Sequence, residues 1–349
     1  MPITPDSQPT CPAPHGARSA PVLRVLAVTV GLLLAGCTPD DAGTGDTDGG
    51  TTPDQPLGDP KVLAGSFQVL LVPPVAASGG QPETPGYTSV VGKVYDGTTP
   101  SQIVWELASQ SGDCQLKTPR VPFCSPTCTG GSVCVEDGRC QAYPTSRSVG
   151  AVKVTGLRTA AGATGFSMSP IVNNYQPPAS VSLPYPAFSE GDTIRLDAAG
   201  AYYSAFSVQA RGIAPLQLLN GTISLQQNQP VALGWKPAGQ AGLSTIHVKL
   251  DISHHGGTRG MLECDTADTG SLQLPAPLVT QLLNLGAAGF PTIILTRKSV
   301  GSVTIAPGRV DLLITSEVEH GVEVPGIISC SDNSQCPTGK TCQSDLTCK

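Results

Sequence analysis

The sequence predicts an all-β fold: two antiparallel β-sandwiches carrying two small disulfide-rich modules. Three observations predict it. Charged residues make up 13% of the 349, about half the usual share, and 40 Gly and 33 Pro punctuate the chain at short intervals. Between those turn residues, short stretches alternate apolar with polar, the period of a half-buried strand. Twelve cysteines fall mostly into two clusters, which is how a small module without a core of its own is held together.

The elements follow in chain order. An apolar run over residues 25–36 stands behind Arg18 and Arg24. A basic flank, a short apolar run and small residues before a cleavage point are the parts of a secretory signal. The run is too short to cross a bilayer, which takes about 20 residues. Its end, Leu34-Ala35-Gly36-Cys37, resembles the lipobox of bacterial lipoproteins. The resemblance implies that residues 1–36 are a signal peptide, that the chain is cut before Cys37, and that the Cys37 thiol carries a diacylglycerol. It also implies export and a lipid anchor. Thr38 stands where an Asp would hold such a protein at the inner membrane, so the resemblance favours the outer membrane. Residues 1–21 are rich in proline, unusual before a signal; translation starting near Val22 or Val25 would account for them.

Residues 37–60 read as the lipidated cysteine and a disordered tether. This stretch has almost no apolar side chains and so cannot bury enough surface to offset ordering entropy. It carries six Asp and no Lys or Arg, but not in the spacing of an EF-hand loop. The formal charge of −6 is concentrated there, and the rest of the mature chain is close to neutral. No basic field exists to hold nucleic acid.

Residues 61–212 read as the first sandwich. Residues 62–72, 88–96 and 102–107 are expected strands, with Trp105 a core aromatic. Residues 114–140 are a cysteine-rich insertion with Cys114, Cys124, Cys128, Cys134 and Cys140. Zinc is the rival reading, but sites of that kind favour C-x2-C or C-x4-C pairs and no His is near, so disulfides are expected. Strands resume at 149–156, 193–198 and 205–210. Among them lie Tyr175, Tyr185, Phe188, Tyr202, Tyr203 and Phe206. These read as core and turn aromatics, with a sugar-stacking platform built from Tyr175, Tyr185, Tyr202 and Tyr203 as the alternative.

Residues 213–328 read as the second sandwich, with strands at 222–225, 230–235, 245–252, 292–296, 303–305 and 310–316. The stretch Val231-Ala232-Leu233-Gly234-Trp235-Lys236-Pro237 resembles the early strand of fibronectin type III-like domains, which implies an Ig/fibronectin-like sandwich with Trp235 in its core. Residues 275–286 are the single expected helix: Pro at the start, Leu278, Leu282 and Leu285 on one face, Gly286 as the stop.

Residues 329–349 form a second cysteine-rich module with Cys330, Cys336, Cys342 and Cys348. The two modules together resemble those of uncharacterised cysteine-rich surface lipoproteins of the myxobacterial type, a resemblance that brings no activity with it. With Cys11 in the leader and Cys37 lipidated, ten cysteines remain, an even number that suits an oxidising compartment. Connectivity stays open. If the modules do not cross-link, Cys264 pairs with one of the first five, and Cys114 is the favoured partner; a bridge from Cys264 to Cys330 is the alternative.

Chemistry-bearing motifs are sparse. There is no G-x-S-x-G elbow, H-E-x-x-H or phosphate loop in the sequence. His247, Asp251, His254 and His255 are the best metal candidates, because His247 and Asp251 share a face of a strand. They lack a marked third element, unless Glu263, Asp265 or Asp268 supplies one, and solvated histidines at a strand end are the preferred reading. No cofactor is expected. The sequence therefore points to a non-catalytic, lipid-anchored envelope protein. Its partners are the membrane through the anchor and an envelope protein or polysaccharide. A carbohydrate-binding lipoprotein and a metal-dependent extracytoplasmic hydrolase are the alternatives.

Overall fold

A computed structural model describes residues 62–75 and 83–349. The expected leader, Cys37 and tether lie outside the described residues. Seventeen strands and one α-helix are described. The strands are β1 Leu63–Val72, β2 Tyr87–Val94, β3 Val104–Ser111, β4 Cys114–Arg120, β5 Ser132–Glu136, β6 Arg139–Ala142, β7 Val152–Thr155, β8 Gly165–Met168 and β9 Asn174–Tyr175. They continue with β10 Thr193–Ala198, β11 Phe206–Arg211, β12 Val231–Gly234, β13 Thr245–Asp251, β14 Met261–Ala267, β15 Ser271–Leu274, β16 Thr292–Ile305 and β17 Gly308–Gly321; α1 is Ala276–Asn284. The fold is all-β with sandwich-like packing and two disulfide-rich modules. Among the described residues no helix is long and apolar enough to cross a membrane.

The domain division differs from the expected one. Residues 61–212 and 213–328 do not build separate sheets. Nine strands form one sheet in the order β3-β4-β14-β13-β16-β17-β1-β2-β9. β1 lies parallel to β17 and antiparallel to β2, and β4 pairs with β14, so both stretches contribute to the same sheet. The parallel pair also departs from the all-antiparallel expectation. The physical reason is the length of the β16–β17 hairpin. Each strand has 14 residues, enough to run under two cores at about 3.3 Å per residue.

Both cores lie on one face of this sheet. The first is roofed by the four-stranded sheet β11-β10-β7-β8. Phe67, Val69, Leu71, Val310, Leu312 and Ile314 from below meet Val152, Val154, Ile194, Leu196 and Val208 from above. The second is roofed by the β12–β15 pair and α1. Here Ile246, Val248, Leu250, Ile293 and Leu295 meet Leu233, Trp235, Leu274, Leu278, Val279 and Leu282. Full burial of each such side chain contributes about 1.5–3 kcal/mol. Trp235 is buried as expected, whereas Trp105 is half-buried on the edge strand β3 rather than in a core. The helix starts after Pro275 and buries Leu278, Val279 and Leu282.

Between the cores runs a polar row. Arg297 on β16, 1% exposed, faces Ser316 on β17, and Ser299 faces Ile314. Asp268 accepts from Arg297 Nε at 2.5 Å and from Nη2 at 2.9 Å. It also accepts from Trp235 Nε1 and from the Ser244 hydroxyl. The remaining Arg297 donors reach the carbonyls of Ala214, Pro215 and Lys236. The chain crosses from one core to the other here. Ser299 Oγ accepts from Arg211 N and Ser316 Oγ from Leu216 N. Next along β16, Gly301 admits the carbonyl of Gln209; a Cβ there would lie 1.7 Å from that oxygen.

A buried ion pair is weak evidence for net stability, but breaking one half leaves an uncompensated charge. Arg297→Met is therefore expected to cost about 3–5 kcal/mol in urea unfolding, and Arg297→Met with Asp268→Leu to recover most of that loss. Equal losses in the single and double variants would contradict this account of the joint.

Candidate functional site

The opposite face of the sheet carries two of the four expected metal candidates. On β13 the side chains at 246, 248 and 250 face the core, so His247, Lys249 and Asp251 face outward. Register sets His247 opposite Asp265 on β14, with His247 Nδ1 3.2 Å from Asp265 Oδ1. Lys298 Nζ donates to the same oxygen at 2.6 Å, and Lys117 pairs with Glu263 at 2.6 Å. Burial works against the Asp265 charge, yet the His247 ring and the Lys298 ammonium outweigh it and hold the carboxyl well below its usual range.

The structure does not bring the four candidates together. Asp251 turns into its own loop, accepting from Ser253 N and Oγ. The His254 and His255 rings lie against each other, centroids 4.0 Å apart and planes tilted by 53°, and His255 sits at φ 63°. Of the three acids that could have completed a site, Glu263 and Asp265 are held by lysines and Asp268 belongs to the buried joint. Among the described residues, three or more potential ligand atoms lie within 4.8 Å of one another at Cys124, Cys128 and Cys140 and at Cys330, Cys336 and Cys342. Those sulfurs are in disulfides.

The ten cysteines form five bonds: Cys114–Cys264, Cys124–Cys134, Cys128–Cys140, Cys330–Cys342 and Cys336–Cys348. Both modules thus join first to third and second to fourth. Cys114 is a residue of β4, directly opposite Cys264 on β14. The bond therefore staples neighbouring strands of one sheet rather than linking two sandwiches, and the first module begins after β4.

The four tyrosines make no flat platform. Tyr175 is buried, and its hydroxyl accepts from Val149 N at 2.8 Å. Tyr185 is half-buried, and burial pushes its hydroxyl pKa up. Tyr202 is exposed beneath the Arg147 guanidinium, and Tyr203 meets it edge-on at 87°.

A cleft that sequence reasoning did not single out opens where the two sheets diverge. It measures about 900 Å³ and is lined by residues 203–209 from β11 and its approach, Arg195, Asp197 and Ala198 from β10, and residues 302–306 at the end of β16. Asp197 accepts from Arg195 Nε at 2.8 Å and from the Ser207 hydroxyl at 2.5 Å, and Arg195 Nη2 donates to Ser207 Oγ. Burial opposes the Asp197 charge, but Ser207 and Arg195 outweigh it and lower its pKa. Alternation had marked β10, β11 and the end of β16 as strands, but nothing in the sequence says that the edges of β11 and β16 face each other.

No family model matches the chain, and no curated protein matches it. Among solved structures, the FN1–FN3 domains of chicken CNTN1 align with 7% identity over 70% of this chain and 71% of that chain, at a TM-score of 0.17.

The charged row on the open face predicts a specific titration. Asp265, depressed by its partners, contributes stability above its unfolded pKa of about 3.9 and loses it as pH falls through the lower folded value. Lys298→Ala should raise the Asp265 pKa toward that value in a carboxyl-carbon NMR titration. An unchanged pKa would show that Lys298 does not set it.

Proposed function

We propose that this chain is an exported lipoprotein, anchored by a lipid on Cys37, whose folded part has a non-catalytic binding or structural role in the cell envelope. The observation that carries the reading is the pairing of all ten cysteines after Cys37 into five disulfides. Such bonds persist in oxidising compartments and are rare where thiols are kept reduced. The lipobox-like Leu34-Ala35-Gly36-Cys37 and the Asp-rich, apolar-poor stretch behind it support an anchor followed by a spacer. Thr38 supports the outer membrane as the destination.

The carboxylates that a metal site would need are engaged structurally. Asp268 holds Arg297, Asp265 holds Lys298, and Asp251 caps its own turn. This supports a binding or scaffolding role over hydrolysis. Rigid layered sheets commonly present partner sites in the loops and edges they hold in place.

The anchor is tested by expressing the full chain in a Gram-negative host fed an alkyne-bearing fatty acid. The wild type should take up the label and sediment with outer-membrane vesicles. Cys37→Ser should lose both the label and the membrane association. Label retained by the Cys37→Ser chain, or absent from the wild type, would overturn the reading.

A further inference from the structure

The cleft between β11 and β16 is bounded by two strand edges. Among the described residues, β11 is the end strand of the four-stranded sheet and pairs with β10 alone. The Arg211 N–H turns away from β10, since it donates to Ser299 Oγ on β16 at 3.2 Å. Backbone groups alternate in direction along an antiparallel strand. Gln209 and Ser207 therefore also aim their N–H groups away from β10. The Gln209 carbonyl confirms the direction, because it lies against Gly301 of β16.

On the other side, β16 pairs with β13 only as far as Lys298, opposite Thr245. Residues 302–305 continue beyond that ladder with β17 on one flank and the cleft on the other. The two strands touch at 209–211 and 299–301, then diverge. The wedge between them is thus flanked by the edge of each sheet.

We infer that this wedge is a binding site for an extended polypeptide segment of a partner protein, added as a strand along β11. A free strand edge gives an incoming backbone hydrogen-bond partners, and side-chain pockets on alternating faces give selectivity. The walls specify the chemistry. The half-buried Phe206, Val303 and Ile305 form one wall over the buried Ala198 and Val208, and Arg195, Asp197, Ser207 and Gln209 form the polar one. The Arg195–Asp197 pair cancels its own charge. The fitting segment alternates small apolar with hydroxyl or amide side chains and carries little charge. The cleft volume lies within the range of ligand sites, about 300–1,000 Å³.

The chain's own N-terminal stretch is the rival occupant. The first described residue, Val62, places its carbonyl against Gly308 at the β16–β17 turn, near the mouth of the cleft. Residues 38–60, however, contain Pro39, Pro53, Pro56 and Pro60 and a single large aliphatic, Leu57. Prolines cannot donate to a ladder, and the required alternation is missing.

This site goes beyond the envelope role and does not depend on lipidation, so Cys37→Ser protein serves equally well in its test. The probe is the peptide Thr-Val-Ser-Val-Thr-Ala-NH2 with fluorescein on its N-terminal amine, into which the oxidised full chain is titrated while anisotropy is followed. A second peptide of the same sequence is N-methylated at alternate amides. Binding should be saturable, weakened about tenfold or more by N-methylation, and accompanied by slowed amide exchange over residues 203–209. Ser207→Pro removes one edge N–H without removing a bond to β10 and should weaken binding to a similar degree. If Ser207→Pro does not fold, the N-methylated peptide decides alone. No binding to the wild type, or equal binding of both peptides, overturns the proposal. Binding seen only after deletion of residues 38–60 would assign the wedge to this chain's own segment and overturn the partner.

Discussion

The buried contact between Arg297 and Asp268 is the constraint on which the rest of the architecture depends. A sheet long enough to carry two apolar roofs needs something at the seam, where neither core reaches. Here the seam is filled by a guanidinium whose donors meet one carboxylate and three backbone carbonyls. That carboxylate in turn holds the Trp235 indole and the Ser244 hydroxyl. The carbonyls belong to the segment that passes from the first roof to the second and to the residue following Trp235. One side chain thus registers the sheet, the crossover and the second roof against one another. Every polar group in the contact has a partner, which is the condition under which a buried charge is tolerated.

The disulfides act away from that seam. Cys114–Cys264 joins β4 to β14 near the β3 edge of the sheet, across a sequence separation of 150. It brings an early strand to a late one, the kind of long-range pairing whose loop-closure entropy is largest. The two cysteine modules are stapled by short loops instead and need little core of their own. The C-terminal one buries Cys330 and Thr347 and accepts Gly289 N on the Asp345 carbonyl, which docks it to the loop after α1. The open face of the sheet is left with its ladder of lysines and acids, and the diverging edges of β11 and β16 are left facing a cleft.

Much of this was legible in the sequence, and the failures have physical causes. The helix was readable because Leu278 and Leu282 repeat at a helical period between Pro275 and Gly286. Parity left Cys264 to one of the first five cysteines if the modules do not cross-link, and the favoured partner, Cys114, is the one it bonds. The middle of β16 was not readable as strand because Arg297, Ser299 and Gly301 occupy core-facing positions where alternation calls for apolar residues. They lie at the seam, so their polarity reports a junction and not a loop. For the same reason the one strand β16 looked like two, at 292–296 and 303–305, and one sheet looked like two domains. β14 was hidden by Glu263 and Asp265 on its solvent face. His247 and Asp251 do share a strand face, but their partners are chosen by register, which a single strand does not encode. The cleft was invisible because it is a relation between two sheets.

Whether the seam makes one cooperative unit of the two cores is tested most directly by differential scanning calorimetry of the oxidised full chain. The account predicts a single transition in which the calorimetric enthalpy equals the van't Hoff enthalpy. Two resolved transitions, one assignable to each core, would show that they unfold independently and that Arg297 and Asp268 do not join them.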